Sequence, residues 1–115
     1  MRPNIHIEDM TDLYAWLLER PGIEGVYNAG FENISALETA KLIASEIPSN
    51  IIITKVKDKR SYKINSDKLL KTGFEPKHSV REAIKDISKA YKVGQIADTD
   101  RSYNLRWMQL NKLVS

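Results

Sequence analysis

The stretch "KVKDKRSYK", residues 55–63, gathers five cationic side chains around one carboxylate, Asp58. Charge at that density is suited to holding an anion. An arginine in such a cluster adds geometry, because its planar fork matches the oxygens of a phosphate, whereas a lysine acts as a point charge. Two other uses of the same charges compete with this one. Lysines guard an exposed strand edge against pairing with another chain. A basic surface also attracts nucleic acid, but beyond Tyr62 no aromatic is interleaved with these residues, and base stacking needs such platforms.

The remaining polar residues suggest little chemistry by spacing. His6 reads as a structural residue within a strand, with no second histidine or carboxylate spaced beside it as a metal ligand. His78 precedes a helix cap and reads as a surface residue. Asp9 and Asp12 fall in the opening of the first helix, where a carboxylate favours the positive end of the helix dipole. Trp16 and Trp107 read as core or interface residues. The chain contains no cysteine, so disulfides and thiolate metal sites are excluded.

These residues must be positioned by an alternation of strands and helices. "RPNIHIEDM", residues 2–10, reads as a short strand running into a helix; "IHI" is its apolar stretch, and the helix starts near Glu8 or Asp9 and carries Met10, Leu13, Tyr14 and Leu17 at helical spacing. "RPG", residues 20–22, stops it. Gly25 to Asn28 supply a brief strand, and Gly30 permits a turn. Ser35 and Glu38 have capping-box spacing ahead of a helix carrying Ala36, Ala40, Ile43 and Ile47, which Pro48 ends. "IIITKV", residues 51–56, is a continuous apolar run of the kind that forms a strand buried on both faces. A short helix over residues 66–71 stops at Gly73. Ser79 and Glu82 form a second capping box, before Val80, Ala83, Ile84, Ile87 and Tyr91 on one helical face, closed by Gly94. "QIADTD" reads as a linker, and Tyr103, Trp107, Leu110 and Val114 as a last amphipathic helix. The expected architecture is α/β: a small sheet of about three short strands with flanking helices. Residues 1–95 form the domain, and 96–115 a linker and C-terminal helix.

Bulk properties agree with a folded domain. The chain has 115 residues, 42% hydrophobic and 29% charged, so it can bury a modest core. A net charge of +3 and a pI of about 9.1 fall short of a nucleic-acid-binding arm. No apolar run approaches the roughly 20 residues that span a bilayer. The first ten residues lack the apolar stretch of a signal peptide. A cytoplasmic location is expected.

Four stretches, "RPNIHIEDM", "GVYNAG", "DKRSYKINSDKLLKTGFEP" and "SVREAI", resemble in order and spacing the C-terminal region of the NAD-dependent epimerase/dehydratase family. These are extended short-chain dehydrogenase/reductase enzymes that remodel nucleotide sugars. The resemblance covers roughly residues 2–94. The tail "YNLRWMQLNKLV" is similar to tails in branches acting on lipopolysaccharide sugars. The resemblance implies that the chain is the substrate-binding back half of a larger enzyme, closing over a nucleotide sugar held by a Rossmann domain that also binds NAD(P). Consistent with that division, the five glycines make no Gly-rich dinucleotide turn. The residues four places after the five tyrosines are Leu18, Phe31, Ser66, Gln95 and Trp107, so the Tyr-x-x-x-Lys pair is missing. The chain is therefore expected to be non-catalytic by itself and to hold no cofactor.

Carried over residue by residue, the resemblance implies that Arg2 lies near the nucleotide diphosphate and that Asn4 lines the same pocket. Asp58 corresponds to a carboxylate that accepts from ribose hydroxyls. Arg60 corresponds to a phosphate-contacting arginine, and Lys55 to a basic residue that other branches use instead. The implied partners are a nucleotide sugar and the missing Rossmann domain; a homodimer is also expected, because removing that domain leaves an apolar patch, and neither a membrane nor nucleic acid is expected. Two alternatives stand beside this reading: a truncated self-associating module, and a small basic nucleic-acid-binding domain.

Overall fold

The structure, a computed structural model, describes residues 1–55 and 61–113. Strand β1 (Arg2–Asn4) leads into helix α1 (Ile7–Leu18). Strand β2 (Glu32–Ile34) leads into α2 (Ala36–Glu46). A single helical turn, α3 (Asp67–Leu70), precedes α4 (Val80–Lys92). A 3₁₀ turn at Asp100–Ser102 then precedes α5 (Asn104–Leu110).

The fold mixes α and β, but the described residues contain one two-stranded antiparallel sheet rather than three strands. Its register pairs Arg2 with Ile34, Pro3 with Asn33 and Asn4 with Glu32. The first strand falls within the expected stretch at residues 2–10 but covers only Arg2–Asn4, so His6 lies beyond it. Gly25 to Asn28 pair with nothing as a strand, and neither do residues 51–55. Far from being buried on both faces, Ile52 and Ile53 are each 82% exposed. Strand propensity is realised only where a partner edge exists, and the isoleucines find none among the described residues. The partner edge of β1 is taken by the less β-prone Glu32–Ile34.

A substitute for a third strand comes from side-chain hydrogen bonds. The Asn33 amide donates to the Ile64 carbonyl at 3.1 Å, and its oxygen accepts from the Ile64 N–H at 3.0 Å. Tyr62 N–H donates to the Met1 carbonyl at 3.1 Å, and the terminal ammonium donates to Ser61 Oγ at 2.7 Å. The end of the basic segment is thus docked beside the sheet without joining its ladder.

The core is thin. Leu13, Leu69 and Phe74 are buried, with Trp16, Leu17, Tyr27, Ala29 and Phe31 packed against them. Phe74 meets Trp16 edge-on at 5.7 Å and Phe31 in a stack at 5.9 Å. Beside this core, Ser66 Oγ donates to the Gly30 carbonyl and accepts from the Gly30 N–H, each at 3.0 Å. Gly30 serves close approach more than a turn: a Cβ there would lie 2.7 Å from Ile64 Cδ1 and 3.1 Å from Pro3 Cβ.

Helices begin where their caps lie. Ser35 and Glu38 form the full reciprocal box of α2. At α4 only half of the expected box forms: Ser79 Oγ accepts from Glu82 N–H, but the Glu82 carboxylate turns to His78. Glu32 accepts from Val80 N–H at 2.9 Å instead, joining β2 to the start of α4. Arg81 donates to Glu46 at 2.9 Å and ties α4 to α2. Gly94 closes α4 as expected, with φ +78°, where a side chain would be strained. The apolar face of α4 is only partly covered: Val80, Ala83 and Ile84 are half-buried, whereas Ile87 and Tyr91 are exposed. No helix among the described residues is long and apolar enough to cross a membrane.

Candidate functional site

Two groups of side chains could do chemistry. The first lies at the sheet. Arg2 and Asn4 both sit on β1 two residues apart, and a strand places such residues on one face. Asn4 Nδ2 donates to the Arg2 carbonyl at 3.0 Å. The Arg2 guanidinium lies over the Tyr62 ring, 5.0 Å from its centroid, which holds the long side chain in a defined direction. Lys63 follows Tyr62 and lines an open groove of about 530 Å³ together with Asn33, Asn65, Ser66 and Asp67. Amides, a hydroxyl and a cation are groups that hydrogen-bond sugars and phosphates.

Of the five residues expected at an anion site, the structure brings together Arg2 and Asn4, both half-buried. Lys55 is exposed, and among the described residues no hydrogen bond joins it to either of them. Asp58 and Arg60 lie outside the described residues.

The second group was not legible as a site in the sequence. His6 is not within a strand; it is the N-cap of α1, with Nδ1 accepting from the Glu8 N–H at 3.0 Å. That bond fixes the tautomer: Nε2 carries the proton and donates to Asp86 Oδ2 at 3.0 Å. The His78 ring stacks on His6 with centroids 4.6 Å apart. His78 Nδ1 lies 2.8 Å from Glu82 Oε2, and Nε2 lies 3.1 Å from Glu8 Oε2. The hydrogen bond to Glu82 raises the His78 pKa above its ordinary value of 6.5, assisted by the charges of Glu8 and Asp9 and opposed by burial.

Asp9 does more than favour the helix dipole. It is 1% exposed, and its two carboxylate oxygens accept the backbone N–H groups of Lys77 (2.9 Å) and His78 (3.1 Å). The start of α1 thereby grips the loop ahead of α4, which holds the two imidazoles against each other. Sequence spacing could not find this pair, because His6 and His78 are separated by most of the chain. The signal that existed was indirect: a histidine at the N-cap of α1 and another just ahead of the N-cap of α4, both helices having acidic first turns.

Comparison with protein-family models, with curated proteins and with solved structures finds no match.

Proposed function

We propose that the chain is the substrate-positioning part of an NAD-dependent nucleotide-sugar epimerase or dehydratase, cradling a nucleotide diphosphate-sugar and non-catalytic on its own. The observation that carries this reading is the alignment of Arg2 and Asn4 on β1, with Arg2 stacked on Tyr62, a residue of the 55–63 sequence that also contains Lys55, Asp58 and Arg60. In this reading Arg2 and Arg60 hold the diphosphate, with Lys55 as an alternative cation. Asp58 accepts from the ribose, and Asn4 lines the pocket. Holding the substrate in one orientation lowers the barrier by removing rotational freedom before reaction. The hydride chemistry, with its NAD(P), belongs to a separate Rossmann domain.

Calorimetric titration with UDP-glucose tests the reading, with uridine as the control lacking phosphate. Saturable binding of the nucleotide sugar that is lost in Arg2→Ala and in Arg60→Ala supports it. No binding, or binding unchanged in both variants, ends it. Turnover of the sugar by this chain alone would also end it.

A second reading is self-association. Ile7, Tyr14 and Leu18 are all exposed along α1, and contiguous apolar surface of this kind marks interaction sites. A second copy of the chain or the proposed Rossmann domain would cover it. Binding to nucleic acid is disfavoured by the lack of aromatics beyond Tyr62 among the basic residues, and flat salt dependence of oligonucleotide binding would dispose of it.

A further inference from the structure

We infer that His6, Glu8 and His78 form a binding site for one divalent cation of the zinc class, pinning the start of α1 to the start of α4. One ring nitrogen from each histidine and a Glu8 carboxylate oxygen lie within 4.8 Å of one another. Two imidazoles and a carboxylate, with a further position left to solvent, are a ligand set that zinc, cobalt and nickel accept.

The decisive feature is the contact between His78 and Glu8. His78 Nδ1 is held by Glu82 at 2.8 Å, and a carboxylate can only accept, so Nδ1 carries a proton. When the ring is protonated, the other nitrogen, Nε2, donates to a Glu8 oxygen 3.1 Å away; when the ring is neutral, Nε2 presents a lone pair to that oxygen. Two electron-rich atoms at that separation need a positive charge between them, either a proton or a metal ion. Atoms 3.1 Å apart can both lie about 2.0–2.2 Å from a single ion, the usual zinc–nitrogen and zinc–oxygen distances. Glu82 meanwhile occupies the place of the carboxylate that orients a metal-bound histidine through its far nitrogen. It takes that place instead of completing the α4 capping box, so the structure favours ring orientation over a cap.

His6 completes the set from a rigid position. Its side chain is 2% exposed and stacked on His78. Its Nε2–H donates to Asp86 and its lone pair, on Nδ1, accepts from the Glu8 N–H, so ligation through Nδ1 costs the hydrogen bond that caps α1. The Glu8 and Asp86 side chains are exposed and can adjust around an ion. A competing set of Asp9, Asp12 and His78 also falls within 4.8 Å. It is the weaker set, because both Asp9 oxygens already accept backbone N–H groups.

The test uses the untagged full chain, stripped with chelator and titrated with Zn²⁺ by calorimetry and with Co²⁺ by visible absorption, at a pH well above the ordinary histidine value. One equivalent is expected to bind, to give cobalt d–d bands of low-coordinate N/O ligation and to raise the thermal unfolding midpoint. Glu82→Gln weakens binding by about 10–100-fold, the usual cost of losing a group that orients a ligand. His78→Gln and Glu8→Gln weaken it at least as much, and Asp12→Asn leaves it unchanged. His6 is buried, and its replacement risks the fold, so the test rests on the more accessible His78 and Glu8. An absence of saturable binding, showing that a proton alone bridges the contact, would overturn the inference. So would binding that survives both His78→Gln and Glu8→Gln.

Discussion

At the scale of single residues, the polar groups that hold this fold together are those the sequence presents as ordinary. Asp9 and Asp12 look alike in the sequence, yet Asp9 is buried and accepts two backbone N–H groups from residues 77 and 78, while Asp12 is exposed. Removing a charged acceptor leaves both donors without their partner, at a cost of roughly 1–3 kcal/mol for each donor that water cannot reach. Asp9→Ala should therefore lower stability in urea unfolding by about 3 kcal/mol, and Asp12→Ala by about 0.5 kcal/mol or less. Equal effects would show that the loop before α4 does not depend on this clamp. Gly30 makes a second test. Its Cβ would meet Ile64 Cδ1 at 2.7 Å and Pro3 Cβ at 3.1 Å, and overpacking of this kind costs about 1–3 kcal/mol. Gly30→Ala should destabilise by that amount, and Ile64→Val alongside it should recover part of the loss, read from the same unfolding curves.

At the scale of elements, helices were legible and, after the first strand, strands were not. Local rules set the ends of α1, α2 and α4: apolar residues at helical spacing, a capping side chain, and a glycine or proline stop. Strands depend on a distant edge. β1 contains Pro3 and β2 contains Glu32 and Asn33, poor strand formers that pair because the fold brings them together. The isoleucine run, the best local strand signal in the chain, finds no edge among the described residues. The candidate anion site was half legible for the same reason. Arg2 and Asn4 could be placed on one strand, but Tyr62 reaches Arg2 only through tertiary structure, as His78 reaches His6. The α2 capping box also makes a pH prediction. Hydrogen bonds from the Ser35 backbone and hydroxyl hold the Glu38 pKa below its ordinary value of 4.5, and Lys41 assists. A carboxylate with a lowered folded value contributes stability above its unfolded value, and loses it as pH falls through the folded one. The stability difference between the wild-type chain and Glu38→Gln should be constant near neutral pH and shrink only below about pH 4.5. A difference that grew on acidification would exclude the box as its source.

At the scale of the whole molecule, the chain exposes more surface than its mass requires. A compact monomer of 13.2 kDa should expose about 6,400 Å², whereas this chain exposes 9429 Å². The excess of roughly 3,000 Å² is several times the ~800 Å² that each partner contributes to a standard interface. Apolar side chains contribute to it: Ile7, Tyr14 and Leu18 along α1, Ile52 and Ile53 after α2, and Ile87 and Tyr91 on α4. The buried core of Leu13, Leu69 and Phe74 is small against such a surface, and the self-association proposed above would cover part of it. With no other domain supplied, a second copy is the available cover, and sedimentation velocity over a hundredfold concentration range should show a rising weight-average coefficient. Leu18 is 85% exposed and lies outside the core cluster, so Leu18→Lys combined with Ile7→Lys removes apolar surface without opening the core. That variant should sediment as a monomer at concentrations where the wild type has associated, with an unchanged helical circular dichroism spectrum. A wild-type chain that stays monomeric throughout would mean that the open surface is stable in water, and that neither a second copy nor a further domain is needed to explain the fold.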